Sequence, residues 1–110
     1  MGKVFKVYLE GSKIFSCSEC RTHLSTAEEV ISKQYQARSG KAYLFDKVVN
    51  ITLGPPIERA MTTGMHVVVD IYCNTCWNYV GWNYKEAHEE KQKFKEGKYI
   101  LELARTQRHE

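Results

Sequence analysis

Two short stretches, Cys17-Ser18-Glu19-Cys20 and Cys73-Asn74-Thr75-Cys76, decide the fold of this chain. They contain all four cysteines of the 110-residue sequence, and 52 residues separate the pairs. A Cys-x-x-Cys turn directs both sulfurs at one point, and two such turns supply the four thiolates of a tetrahedral Zn²⁺ site with Zn–S distances of about 2.3 Å. We therefore predict a compact body between the pairs and one structural zinc ion, bound by Cys17, Cys20, Cys73 and Cys76.

Roles for the cysteines that do not involve a metal fit the sequence less well. Simple buried thiols have no reason to pair at this spacing, and a redox dithiol normally begins a helix in a βαβ unit, whereas residues 21–24 and 77–80 resemble strands. A secreted disulfide scaffold is disfavoured because residues 1–6 contain no apolar run typical of a signal peptide. His23 and His66 could replace a thiolate, but four thiolates already complete the coordination shell.

Composition and charge are those of one small globular domain. Hydrophobic residues make up 43% of the chain, and no apolar stretch approaches the ~20 residues of a membrane span. The formal charge of +3 would fall to +1 with zinc bound, because four thiolates add four negative charges and the ion adds two positive ones. The charge therefore argues only weakly for a nucleic-acid partner.

Strands dominate the predicted secondary structure. Six segments combine β-branched and aromatic residues with flanking turn residues, namely 4–9, 41–45, 47–53, 65–72, 78–84 and 98–103. We expect Gly54-Pro55-Pro56 to end the third of them, and Thr63-Gly64 to form the turn of a hairpin between 59–62 and 65–72. In the second arm of that hairpin, the face with Met65, Val67, Val69 and Ile71 is predicted to be the core face.

Helix is expected to be scarce. Ser25-Thr26-Ala27-Glu28 has the form of a capping box and predicts a short helical turn through residues 29–31. Residues 85–96 carry charges of both signs and predict a solvated surface. We assign residues 1–104 to one zinc-binding domain and 105–110 to a polar tail that frays.

The two cysteine pairs lie in similar surroundings. Residues 15–24 and 71–80 align at an offset of 56, and both follow the pattern apolar–x–Cys–x–x–Cys–x–x–x–apolar. This indicates two similar hairpins clamped by one metal ion. Four protein ligands leave no open position for water or substrate, so the metal would support the fold rather than catalyse a reaction.

The sequence resembles the Yippee-like protein family over nearly its full length. The resemblance rests on the 52-residue gap and on seven segments: Phe15-Ser16-Cys17-Ser18-Glu19-Cys20, Gly40-Lys41-Ala42-Tyr43-Leu44-Phe45, Val48-Val49-Asn50, Thr63-Gly64-Met65-His66, Asp70-Ile71-Tyr72-Cys73, Gly81-Trp82-Asn83-Tyr84 and Phe94-Lys95-Glu96-Gly97-Lys98. Departures at Trp77, Asn78, Pro55 and Pro56 affect loops.

The resemblance implies a mostly β fold, a β-tent of two roughly orthogonal antiparallel sheets pinned by the zinc. This architecture resembles that of cereblon's ligand-binding domain, of B-type methionine sulfoxide reductases and of the C-terminal domains of RNA-sensing helicases.

Because these relatives differ in function, the fold alone does not choose one. The resemblance implies a non-enzymatic zinc-binding adaptor with protein partners, in the nucleus or cytoplasm, within a mitotic, nuclear or ubiquitin-ligase assembly. No membrane association is expected, and the oligomeric state is open. A methionine sulfoxide reductase would need a reactive cysteine beyond the metal site, and the chain has none.

Two binding hypotheses remain beside the adaptor. Trp82 matches one wall of cereblon's aromatic cage, and a partial pocket for a small ligand or modified residue would combine Trp82, Tyr72 and His66; the alternative for Trp82 is core packing. Nucleic-acid binding would use basic residues interrupted by Glu89, Glu90 and Glu96, the candidates being Lys91, Lys93, Lys95 and Lys98.

Overall fold

Nine β-strands in two antiparallel sheets form almost all of the regular structure. The computed structural model describes residues 6–109. The small sheet has the order β2-β1-β9, with β1 at Ile14–Cys17, β2 at His23–Thr26 and β9 at Thr106–His109. The large sheet has the order β3-β4-β8-β7-β6-β5, with strands at Val30–Ala37 (β3), Gly40–Phe45 (β4), Ile51–Met61 (β5), Gly64–Cys73 (β6), Tyr79–Ala87 (β7) and Tyr99–Glu102 (β8). The expected mostly β fold with two antiparallel sheets is confirmed.

Helix is limited to short 3₁₀ segments within the described chain. They lie at Ala27–Glu29, Glu90–Lys95 and Leu103–Arg105. The first begins after Thr26 without a side-chain cap hydrogen bond, and β3 starts at Val30, so the capping box does not form and the helical turn does not extend to residue 31. No helix within residues 6–109 is long and apolar enough to cross a membrane.

One hydrophobic cluster joins the two sheets. Phe15 of β1 and Leu24 of β2 pack with side chains of the large sheet such as Phe45, Ile71 and Leu101, all of them buried. The Phe15 and Phe45 rings meet edge to face with centroids 5.0 Å apart, a favourable aromatic geometry. The end of the large sheet that carries Cys73 is therefore held against the strand that carries Cys17.

The opposite face of the large sheet is buried as well. Neighbouring residues on a strand point to opposite faces, so Leu44 and Ile100 belong to a second cluster while Phe45 and Leu101 belong to the first. The remaining members of this second cluster are Ala42, Val68, Trp82 and Tyr84. Burial on both faces explains why these strands have nearly continuous apolar runs.

The predicted core face of β6 is only half right. Val69 and Ile71 are buried as expected, but Met65 is exposed and Val67 is half-buried. His66 and Val68, on the other face, are fully buried. The small sheet covers only the cysteine end of β6, and the turn end is buried through the opposite face, where His66 lies 5.3 Å from the Tyr84 ring.

Prolines do not end β5. The strand begins at Ile51 and runs through Gly54-Pro55-Pro56 to Met61, with an irregularity in its pairing to β6 between Leu53 and Pro56. β5 is an edge strand with one paired side, and an edge strand accommodates residues that lack an N–H on its open side. The predicted hairpin between β5 and β6 is confirmed.

Both ends of the chain differ from the prediction. Residues 6–9 form no regular strand, and Val4 and Phe5 lie outside the described residues. Residues 106–109 do not fray but form β9, which pairs with β1 in antiparallel register. The Ser16 hydroxyl lies 2.7 Å from His109 Nε2 and ties this strand to the buried side of the small sheet.

Candidate metal centre and the Trp82 cavity

The two cysteine turns have the same backbone geometry. In the first, Cys17 N–H donates to Thr22 O at 2.8 Å and Arg21 N–H donates to Cys17 O at 2.8 Å. In the second, Cys73 N–H donates to Asn78 O at 2.8 Å and Trp77 N–H donates to Cys73 O at 2.9 Å. Each bond of the first turn recurs in the second, shifted by 56 positions. The internal similarity of the sequence therefore marks two equivalent structural units.

A left-handed residue follows the second cysteine of each turn. Arg21 has φ +65° and Trp77 has φ +66°, although neither is glycine. A bulky L-residue in this region costs roughly 1–2 kcal/mol. Because the left-handed conformation occurs in both turns, it belongs to the geometry of the turn and is not specific to one of the two residues.

The four thiols converge at the junction of the two sheets. Cys17 Sγ lies 3.5 Å from Cys76 Sγ, and Cys20 Sγ lies 3.5 Å from Cys73 Sγ. All four sulfurs lie within 4.8 Å of one another. A regular tetrahedron with bonds of about 2.3 Å has sulfurs about 3.8 Å apart, so the cluster fits one tetrahedral metal ion.

Neighbouring groups orient and polarise these thiols. Thr22 Oγ1 is 3.1 Å from Cys20 Sγ, and Asn78 Nδ2 donates to Cys17 Sγ at 3.6 Å. Burial acts to raise the pKa of the Cys20 thiol, but hydrogen bonds with Thr22 and the neighbouring cysteines outweigh it and lower the pKa to about 7. Burial raises the pKa of Cys73, and it raises that of Cys76 to about 12. A metal must displace these protons, so its affinity falls as the solution is acidified.

The histidines weighed as substitute ligands lie outside this cluster. His23 Nδ1 accepts a hydrogen bond from Leu9 N–H at 3.0 Å, and His66 Nδ1 lies 2.9 Å from Gly64 O at the far end of β6. The cluster found among the described residues contains the four cysteines alone.

A cavity of about 1130 Å³ opens on the other face of the large sheet. We call it the Trp82 cavity, since Trp82 and Tyr84 line it together with residues from β3, β5 and β8. Trp82 is 7% exposed and stacks edge to face on Tyr84 at 6.3 Å. Trp82 thus packs in the core, which was one of the two hypotheses for it, and it also lines a cavity.

The three residues of the predicted pocket are not brought together there. Tyr72 and His66 are not among the residues that line the cavity. Tyr72 instead packs on Tyr79, with ring centroids 6.1 Å apart, and His66 packs beneath Tyr84. Burial lowers the pKa of His66.

Polar residues that the sequence did not assign to a pocket line the cavity with Trp82. Asp70 faces Trp82 across the β6–β7 pair, and Glu102 accepts hydrogen bonds from Ser39 and from the Tyr79 hydroxyl. Lys95 enters from the 3₁₀ helix Glu90–Lys95 and is 3% exposed. It is an exception to the solvated surface expected for residues 85–96, most of which are exposed. The sequence named Lys95 only as a candidate for nucleic-acid binding, and its place in a charged run gave no sign of burial beside Trp82.

Comparisons with known proteins by family model, by sequence and by structure all point to one family. A family model described as "Yippee zinc-binding/DNA-binding /Mis18, centromere assembly" matches residues 13–109. A yippee-like protein of Arabidopsis thaliana is 53% identical over 103 residues, covering 94% of this chain and 84% of its own. This chain belongs to the Yippee family.

Other Yippee relatives support the same assignment. A yippee-like protein of Solanum tuberosum is 54% identical over 102 residues, covering 93% of this chain and 78% of its own. Protein yippee-like 3 of Oryzias latipes is 48% identical, with coverages of 93% and 87%. The crystal structure of the Mis18 "Yippee-like" domain superposes with a TM-score of 0.70 over 89% of this chain and 95% of that one. At 13% identity, this likeness concerns the Yippee fold alone.

Proposed function

We propose that this Yippee chain is a non-enzymatic zinc-binding interaction module that serves as a subunit of a larger regulatory assembly. The observation that carries the proposal is the closed set of four thiols at the junction of the sheets. Four protein ligands complete a tetrahedral shell, which is typical of structural metal sites, whereas catalytic zinc keeps one position for water or substrate. The metal then fixes a scaffold whose surfaces do the binding.

Zinc is the metal that suits this donor set. Four thiolates in a tetrahedron favour zinc or iron–sulfur chemistry over the oxygen-seeking ions calcium and magnesium. The matching family model carries the words "zinc-binding" in its description. One Zn²⁺ per chain, bound by Cys17, Cys20, Cys73 and Cys76, is therefore the proposed cofactor.

An adaptor role is supported by apolar surface on an open sheet edge. Among residues 6–109, β5 pairs with β6 alone, and it carries Leu53 and Ile57, which are 49% and 38% exposed. Edge strands with apolar side chains are suited to protein–protein contact. The description of the family model includes "centromere assembly", which agrees with a role in a nuclear or mitotic complex. A ubiquitin-ligase complex and a location in the nucleus or cytoplasm belong to the same proposal.

Nucleic-acid binding is the competing function, since the family description also contains the words "DNA-binding". The lysines proposed for it are largely engaged elsewhere. Lys95 is buried, Lys93 pairs with Glu96 at 3.3 Å, and Lys98 pairs with Asp46 at 2.6 Å. Of the four proposed lysines, Lys91 alone is exposed and without such a contact in the described chain, so we favour the protein partner.

Affinity purification of the tagged, zinc-loaded protein from its own cells tests the proposal, with Cys73→Ser as the unfolded control. We expect stoichiometric proteins to be recovered with the folded form only. Recovery of nucleic acid without protein, with binding that weakens steeply as salt rises, would replace the adaptor with the competing function.

A further inference from the structure

We propose that the Trp82 cavity is the binding site for an acidic peptide segment of the protein partner. The inference rests on the proposed interaction role and assigns it a place and a ligand chemistry. It stands on three features of the cavity: unpaired polar atoms, an excess of positive charge, and size.

Two buried polar atoms in the cavity wall lack partners within residues 6–109. They are Trp82 Nε1, a donor, and Asp70 Oδ1, an acceptor. Arg59 Nη2 approaches Asp70 Oδ1 to 3.5 Å without completing a hydrogen bond. Burial raises the pKa of Tyr84 and the nearby Trp82 indole N–H acts to lower it, but the two groups do not meet in hydrogen-bond geometry. A buried group without a partner costs roughly 1–3 kcal/mol, so such groups are expected to find one in the working complex.

Their arrangement matches a peptide group. Asp70 and Trp82 are directly paired residues of β6 and β7, and paired residues on one face have Cβ atoms about 5 Å apart. One wall of the cavity therefore contains a buried donor without a hydrogen bond next to a buried carboxylate oxygen whose partner is the Arg59 guanidinium at 3.5 Å. A peptide backbone offers the complementary pair, with its N–H directed to Asp70 and its carbonyl to Trp82.

Cations outnumber carboxylates among the lining residues. The basic side chains are Arg38, Arg59, Lys95 and Arg105, and the acidic ones are Asp70 and Glu102. Glu102 already accepts hydrogen bonds from Ser39 and Tyr79. Two positive charges are therefore left in excess, which suits a ligand with acidic side chains.

Lys95 is a buried cation in the cavity wall with unused hydrogen-bond donors. Its ammonium donates one hydrogen bond, to Thr63 Oγ1 at 3.0 Å, and lies 5.4 Å and 5.2 Å from the ring centroids of Tyr35 and Tyr84. An ammonium has three donors, and no other hydrogen bond of Lys95 is found in the described chain. A carboxylate that enters beside Thr63 would meet a charge that is already desolvated, where electrostatic attraction is strong.

The size of the cavity, and the cations that already lie over its aromatic rings, favour a peptide over other ligands. The volume of about 1130 Å³ exceeds the range of roughly 300–1000 Å³ that is typical of small-molecule sites. Nucleic-acid bases would need free aromatic faces, but Lys95 lies over Tyr35 and Tyr84, and Arg105 lies over Tyr79 at 5.8 Å.

The test begins with a phage-displayed library of random dodecapeptides selected on the zinc-loaded protein. Enriched peptides are synthesised and titrated into ¹⁵N-labelled protein while the two tryptophan indole N–H signals are followed. Trp82 is 7% exposed and Trp77 is 63% exposed, so the chain carries its own reference signal. A Trp77→Phe variant assigns the two resonances.

Two variants then probe the site by affinity. Lys95→Met keeps the side-chain length and removes the charge, and Trp82→Phe keeps an aromatic ring and removes the N–H. Lys47→Met, at an exposed lysine outside the cavity, is the matched control. If Trp82→Phe fails to fold, as its amide spectrum would reveal, Lys95→Met alone decides the outcome.

We expect Asp- and Glu-rich peptides to be enriched, to shift the Trp82 indole signal and not that of Trp77, and to bind Lys95→Met at least ~10-fold more weakly than wild type or Lys47→Met. Failure to enrich any peptide, enrichment of neutral or basic peptides, or full affinity for Lys95→Met would overturn the proposal. So would preferential binding of a single-stranded oligonucleotide.

Co-purification with Lys95→Met separates this inference from the function on which it rests. Partners that are lost with Lys95→Met but kept with Lys47→Met support the cavity as the contact site. Partners kept equally by both variants leave the interaction module intact and refute the cavity. If wild type recovers no protein, the interaction role itself fails.

Discussion

Asn50 illustrates how one side chain connects segments that are distant in sequence. Its amide accepts from Val7 N–H at 2.8 Å and donates to Val7 O and His23 O at 2.7 Å each. The backbone carbonyl of Asn50 accepts a hydrogen bond from Asn74 N–H in the second cysteine turn at 2.9 Å. With φ +60°, it occupies the left-handed region, which asparagine tolerates better than most residues. Asn50 thus joins the N-terminal segment, the small sheet and the metal-binding turn.

Replacing Asn50 with Ala should lower the free energy of unfolding by about 2–4 kcal/mol, because three hydrogen bonds are lost and the backbone becomes strained. Asn50→Gly relieves the strain and should be about 1 kcal/mol more stable than Asn50→Ala. Urea denaturation measures both. Wild-type stability for Asn50→Ala, or a lower stability for the glycine variant, would contradict this role.

Lys95 shows a charge retained at a cost to the fold. Burial lowers the pKa of its ammonium below the usual 10.5, so the folded chain disfavours the charged form. That penalty is fully present below the folded-state pKa and is relieved as pH rises through it toward the unfolded value. Such a charge in a cavity is typical of a binding site.

Lys95→Met should therefore raise the free energy of unfolding at pH 7 by on the order of 1 kcal/mol. The advantage over wild type should shrink as the pH approaches 10.5, where the wild-type lysine becomes neutral. Parallel denaturant titrations at pH 7 and pH 10 give the difference. An equal advantage at both pH values would assign the effect to packing and not to charge.

At the scale of elements, the contact between β7 and β8 depends on a residue without a side chain. Gly81 pairs with Leu101, and a Cβ added at Gly81 would overlap the carbonyl group of Ile100. The backbone of β8 cannot give way without disturbing the core, since Ile100 and Leu101 belong to the two clusters on either face. Gly81 thereby allows the central strands to approach each other closely.

Gly81→Ala should cost at least about 3 kcal/mol or prevent folding, because the overlap is with backbone atoms. Gly54→Ala is a suitable comparison. It lies in edge strand β5, where the nearest atom to an added Cβ is Asp70 O at 3.3 Å, so its cost should be far smaller. Thermal unfolding of the two variants side by side checks the order, and equal melting temperatures would refute it.

The elements that sequence patterns miss, or divide as they divided β5, are edge strands. β3 and β5 form the edges of the large sheet, and β9 is an edge of the small one. β3 and β9 carry mostly polar or exposed residues, so they lack the apolar signal by which a strand is found. β5 tolerates two prolines because one side of this edge strand forms no backbone hydrogen bonds with another described strand. Central strands such as β4 and β8 were predicted well because both of their faces are buried.

At the scale of the whole molecule, the cysteine tetrad joins the two sheets. Cys17 ends β1 in the small sheet, and Cys73 ends β6 in the large sheet. The spacing of four cysteines sufficed to predict their convergence, because a metal site constrains geometry more tightly than any apolar pattern. The cavity could not be predicted in this way. Asp70, Lys95 and Glu102 come from three separate elements and share no motif.

The metal should decide whether the chain folds. Structural zinc sites bind with roughly 10–16 kcal/mol at neutral pH, which equals or exceeds the total stability of about 5–15 kcal/mol that is typical of a domain. The hydrophobic cluster between the sheets is small, and it includes Cys17 and Cys73 themselves. The core alone is therefore not expected to hold the two sheets together.

The most direct test is the amide correlation spectrum of the ¹⁵N-labelled protein, recorded as a chelator removes the metal and Zn²⁺ is then returned stepwise. We predict that dispersion collapses on chelation and returns fully at one equivalent of Zn²⁺ per chain. Cys73→Ser should show the collapsed spectrum throughout. A dispersed spectrum from metal-free protein, or recovery that requires a ratio other than one, would contradict the claim that a single zinc ion joins the sheets.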